Sequence, residues 1–315
     1  MSDDERVGLV NRPVPTLLAT TLSIILGALP IFTTGAMAVF IRPELGFGET
    51  ALGALATLYY LASASTTMFG GRLAERLGGP RAMSLAAMLS MVTSLGIALL
   101  AASWAWMAGF LVVAGVGNGI AFPATNLALA RGFPLKRQGV GFAIKQSAGP
   151  YATMLAGAAV PLIGLTVGWR WAFVAAGIAA IPIIAGWNVE QGAGRFTRGL
   201  RSDVPGRPVW ILSLSAFFAV NASASLGAFY VESAVSGGIS PGIAGTFLSI
   251  GSALGILIRI GYGWIGDRHP PIHFSILTVM MAAGGFAFFL MGRSWSTAGL
   301  FFVTIFVFGT GWAWP

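Results

Sequence analysis

Lys145 and Arg259 are basic side chains inside long apolar runs of a chain in which only 9% of residues are charged. At the centre of a membrane-spanning helix a charge costs roughly 2.5–3.5 kcal/mol on insertion scales, so it normally faces a cavity or a partner. Lys145 lies in Gly141-Phe-Ala-Ile-Lys145-Gln146-Ser147-Ala-Gly149-Pro150-Tyr151. Its ammonium suits an anion, and Gln146, Ser147 and Tyr151 beside it suit a small polar ligand. The competing reading is structural, because Lys145 is only seven residues past Gln138, about 10 Å along a helix. A lysine at that depth can stretch to the headgroups or pair with a neighbour. Arg259 lies four residues before Gly263, about 6 Å from that helix's end. It reads first as a snorkelling side chain and second as a further cationic contact beside Lys145.

The remaining polar residues of the apolar runs carry less. Glu232 is the one carboxylate at membrane depth, and proton coupling and an outer-interface hydrogen bond are its two readings. Asn118 and Asn221 either face a central cavity or join helices, the latter worth only about 0.6 kcal/mol on average. Tyr59 and Tyr60 can supply cavity hydroxyls, but adjacent helical residues sit about 100° apart, so one must point away. Gly115-x-Gly117-x-Gly119 lacks the strand-turn-helix setting of a nucleotide loop, and close helix packing is the expectation. With no cysteine, disulfides, thiolate chemistry and Cys-ligated metals are excluded. His269 and His273 share one loop without a partner cluster, so no metal and no cofactor are expected. No nucleophile has a base in a recognisable arrangement, and no Walker sequence is present, so the chain does not read as an enzyme or an ATP-driven pump.

What positions these residues is a set of helices in lipid. A chain with 56% hydrophobic residues is too apolar for water. Runs of roughly 20 apolar residues, enough to span a bilayer core, recur at about 16–41, 49–70, 82–102, 104–130, 139–165, 169–188, 209–233, 240–263, 272–292 and 296–315. The first run is too long for a signal peptide and follows Asp3, Asp4 and Glu5, so it reads as a retained helix. With the N-terminus inside, 13 basic residues fall in cytoplasmic loops and only Arg42, Arg170 and Arg293 outside, which accounts for the net charge of +8 without nucleic acid. A polar segment at 189–208 separates six spans (1–188) from four (209–315).

An internal repeat ties the two parts together. Gly71-x-Leu73-x-Glu75-Arg76-x-Gly78 recurs as Gly263-x-Ile265-x-Asp267-Arg268, and Glu75 and Asp267 are 192 positions apart. Gly53 matches Gly245 and Pro123 matches Pro315 at the same offset. The doubled motif, with Arg81 after its first copy and Gly168-Trp-Arg170-Trp-Ala-Phe173 opening the sixth span, resembles the major facilitator superfamily. That resemblance implies an all-α membrane protein, a six-plus-six helix bundle of which about ten spans are present, with two further spans expected beyond Pro315. It also implies a gating role for Gly71, Glu75, Arg76, Gly78, Arg81, Gly263, Asp267 and Arg268, against the plainer reading of a solvated, positive-inside turn. The family's usual arginine of the fourth span is absent, so its proton-coupling scheme is not carried over, and the fifth span lacks the antiporter glycine pattern.

The expected function is secondary active transport by alternating access at the cell (inner or plasma) membrane, with the N-terminus cytoplasmic. Cations in the cavity without an N-terminal carboxylate favour a small anionic solute, and Ile144-Lys145-Gln146-Ser147 resembles cyanate- and carboxylate-type carriers. Protons are an available coupling ion. Multidrug efflux, or a non-transporting sensor that kept the fold, stays open beside this reading.

Overall fold

The computed structural model describes residues 13–132, 138–186 and 207–268, and scattered helical positions between 279 and 307. The linker expected at 189–208 therefore lies almost wholly outside the described residues, as do His269, His273 and much of the last two expected spans.

The described chain is helical. It runs α1 (Pro13–Ala36), α2 (Ala38–Leu45), α3 (Glu49–Leu77), α4 (Gly79–Leu100), α5 (Trp104–Gly132), α6 (Gln138–Gln146), α7 (Ala148–Ala159), a π-turn (Val160–Gly164), α8 (Trp169–Ile178), α9 (Ile181–Ile184), α10 (Arg207–Ser236) and α11 (Pro241–Arg268). Segments at 14–36, 79–100, 104–130 and 241–261 are long and apolar enough to cross a membrane. Large apolar side chains such as Met68, Phe69, Leu99, Leu162, Trp171 and Leu257 are exposed, which suits a lipid-facing surface and not water.

Among the described residues three spans are broken, the sixth at Ala179 and Ala180, between α8 and α9. The first span is interrupted at Met37, between α1 and α2, and both helices pack against α10. The fifth span is interrupted at Ser147 and again by the π-turn containing Pro161. The repeat survives in the helix positions, since α11 begins at Pro241, 192 positions after α3 begins at Glu49. α3 turns into α4 through Gly78, whose φ of 82° is a conformation that a side chain disfavours.

One apolar core joins the N-terminal helices to the C-terminal ones, running from Phe32, Met37, Leu55 and Phe173 to Leu226, Tyr230, Val231 and Leu248. Backbones meet closely where it crosses between them. A Cβ on Gly157 of α7 would lie 2.7 Å from the Gly245 carbonyl of α11, and a Cβ on Gly35 of α1 would collide with the Ala228 carbonyl of α10. Within the N-terminal set, Gly115 and Gly119 approach the α3 backbone and Gly117 packs against Leu89 and Ala86 of α4. The glycine run is a packing surface, as its helical setting predicts.

Candidate functional site

Lys145 occupies the last turn of α6 and is fully buried. Its ammonium donates to Oδ1 of Asn126 on α5 and lies 4.4 Å from the centroid of the Phe122 ring, one turn away on the same helix. Phe122 is 37% exposed, so the cation sits one side chain below an accessible surface. The ion pairs among the described residues do not include Lys145. An ammonium has three donors, and the Asn126 amide uses one.

α6 stops because Ser147 turns the chain. Its N–H reaches the carbonyls of both Ala143 and Ile144 at 3.1 Å, and its hydroxyl donates to the Ala143 carbonyl at 2.8 Å. Next to that turn, Nη1 of Arg259 on α11 donates to the backbone carbonyl of Gln146. Arg259 is 6% exposed. Farther along the same interface Thr153 and Ser252 hydroxyls are 2.8 Å apart, and Ser249 Oγ donates to the Met154 carbonyl at 3.0 Å. Lys145, Gln146 and Arg259 thus share one neighbourhood between α5, α6 and α11, with Tyr151 half-buried in the first turn of α7.

Tyr59 and Asn118 belong to a different cluster. The Tyr59 hydroxyl donates to the Gly27 carbonyl at 2.8 Å, and Asn118 Nδ2 donates to Ser63 Oγ at 2.9 Å, tying α1, α3 and α5 together. Asn118 and Asn126 are eight residues apart, about 12 Å along α5. Asn221 lies on α10, with its side chain outside the described residues.

The end of the bundle that carries the α2–α3 turn is held by charges. Arg42 pairs with Glu232 of α10 and lies 3.7 Å from Glu49. Glu44 accepts from Arg170 and from the Trp169 indole, each at 2.6 Å, and Arg170 also donates to the Ala101 carbonyl at 2.9 Å. At the opposite end Glu75, Arg76 and Arg81 are exposed at the α3–α4 turn, and they form no ion pair among the described residues. Gly263, Asp267 and Arg268 continue the backbone of α11, and their side chains lie outside the described residues.

Sequence reading did not single out Asn126, Phe122, Arg42 or Glu44. Asn126 was visible as an amide inside the fourth span, but only the antiparallel register of α5 and α6 brings it to Lys145. Arg42 counts as a loop residue until α2 is seen to extend the first span along α10.

Apolar helices around an enclosed cation define an integral, multi-pass membrane protein. The chain belongs to the Major Facilitator Superfamily, whose family model matches residues 17–315. A gentisate transporter of Corynebacterium glutamicum is 22% identical over 305 residues, covering 88% of this chain. The chain spans 66% of that relative's length, just under two thirds. Among solved structures, a D-xylose-proton symporter aligns with a TM-score of 0.64 at 16% identity, covering 95% of this chain and 79% of its own. A bacterial homolog of the human lysosomal transporter Spinster, inward-facing and occupied, aligns with a TM-score of 0.64 at 19% identity, covering 94% and 72%. At those identities the structures share the fold. The family and the relative's name both point to membrane transport as the activity to be considered.

Proposed function

We propose that the chain forms a secondary active transporter for a small organic anion, working by alternating access, with the solute's carboxylate held by Lys145. The observation that carries this reading is a fully buried ammonium whose contacts are a neutral amide and a ring. A cation withdrawn from water calls for a counter-anion and for hydrogen bonds to its donors. The described residues provide one amide for its three donors, and an external carboxylate would supply the counter-charge. The relative named for gentisate, an aromatic carboxylate, is in keeping with that class. Phe122 would present its ring to such a solute.

In this reading 1–188 and 209–315, joined by 189–208, move as two halves around the α6–α11 contact. The α3–α4 end faces the cytoplasm, where Gly71, Glu75, Arg76, Gly78, Arg81, Gly263, Asp267 and Arg268 act as the gate. Glu232, paired with Arg42, closes the outer end. Proton coupling through Glu232 would proceed by breaking that pair. Gln146, Tyr151 and Arg259 border the solute, while Tyr59 and Asn118 hold the helices that frame it.

The test is thermal stability of the full protein in detergent against gentisate, benzoate, cyanate and lipophilic cations. A ligand selective for the folded state raises the midpoint by mass action. A carboxylate should do so in the parent and not in Lys145→Ala. Stabilisation by cations, or an equal response in Lys145→Ala, would overturn the anion assignment and favour efflux of cationic solutes.

A further inference from the structure

The carbonyl that Arg259 engages is one that the sequence itself leaves without a helical partner. In an α-helix the carbonyl of residue i accepts from the N–H of residue i+4. For Gln146 that residue is Pro150, which has no N–H. The vacancy falls between α6 and α7, at a helix C-terminus where partial negative charge collects. Arg259 fills it from α11, with the cation that such an end favours and with its side chain almost fully buried.

We propose that Arg259 is a positioning residue: by holding the Gln146 carbonyl that Pro150 frees, it fixes the end of α6 and so the place of Lys145 beside Asn126. This rests on reading Lys145 as the anion's contact, and it gives Arg259, at the border of the solute, a role exerted through the backbone. Lys145 directly precedes Gln146, so where α6 ends decides where the ammonium stands. The same bond joins the N-terminal helices to α11, which couples the position of Lys145 to the movement of the C-terminal helices.

The pair predicts a rescue. Arg259→Gln leaves the Gln146 carbonyl buried and poorly matched, whereas Pro150→Ala supplies an N–H from within the helix. The chain has no cysteine, so an Asn126→Cys/Lys145→Cys pair and a short bis-thiosulfonate report the spacing of α5 and α6 without ligand. Thermal midpoint and gentisate affinity are read in parallel, the affinity in chains that keep Lys145. Arg259→Gln should lower the midpoint, slow cross-linking several-fold and weaken gentisate binding by about tenfold, the order expected for one charge-assisted hydrogen bond. Adding Pro150→Ala to Arg259→Gln should recover most of the midpoint and the cross-linking rate, and Arg259→Lys should retain part of each. Unchanged cross-linking in Arg259→Gln, or a double variant no better than Arg259→Gln alone, would overturn the proposal. If gentisate stabilises no variant, including the parent, the anion reading fails, while cross-linking and rescue still decide the latch.

Discussion

Asn126 is where the neutrality of the Lys145 environment can be tested most directly. Asn126→Asp places a carboxylate where the amide oxygen now accepts from the ammonium, with little change in volume. Opposite charges about 4 Å apart attract by about 4 kcal/mol at an effective dielectric constant of 20. Against that stands the loss of the existing amide contact, about 1 kcal/mol. An external anion would therefore compete against an internal one worth about 2–3 kcal/mol, and at 1.4 kcal/mol per decade its affinity should fall about 30- to 150-fold. The ligand-free protein should become more stable, because the buried cation gains a counter-charge. Asn126→Ala separates charge from contact: it removes the amide without adding a carboxylate, so gentisate affinity should fall by no more than about tenfold, short of the loss in the Asp variant. Calorimetric titration with gentisate, together with the ligand-free thermal midpoint, reads both effects. Equal affinity in Asn126→Asp and parent would refute the reasoning, as would equal losses in the Asp and Ala variants.

Two further outcomes follow from contacts between the N- and C-terminal helices. Glu232→Gln removes one charge of the largely buried pair with Arg42 and should cost the closed outer end about 1–2 kcal/mol, shifting its population roughly 5- to 30-fold. Leu226→Cys, nearly buried now, should then react faster with a membrane-impermeant maleimide, and an unchanged rate would show that the pair does not hold that end shut. Gly157→Val should lower the thermal midpoint by an overpacking cost of about 1–3 kcal/mol, because its side chain would meet the Gly245 carbonyl. Gly53→Val serves as the control, since a Cβ there meets nothing within 4 Å; similar midpoints would mean that the α7–α11 crossing tolerates separation.

How much of this was readable beforehand depends on whether a feature is local or relational. The glycines at 115, 117 and 119 declare a close-packed helix surface through their own spacing, and the 192-residue offset predicts that α3 and α11 start at equivalent positions, as they do. Lys145 announced itself as an anomaly of charge. Its partner did not, because an amide 19 positions earlier acquires meaning only from the register of two antiparallel helices. The Arg42–Glu232 pair is harder still, since it needs the helical continuation of the first span through α2 and a contact across 190 residues. Gln146 is the intermediate case. Half of its story is written in the chain, as a carbonyl four residues before a proline, and that vacancy requires a donor wherever the segment is buried. What the chain does not state is which donor answers. An arginine four residues before Gly263 looks, from depth alone, like a side chain reaching for the membrane surface. Only the packing of α11 on α6 turns it toward the unmatched carbonyl. A proline in a spanning helix is therefore a reason to seek a cation on the helices packed beside it, and here that search leads to the residue next to the buried lysine.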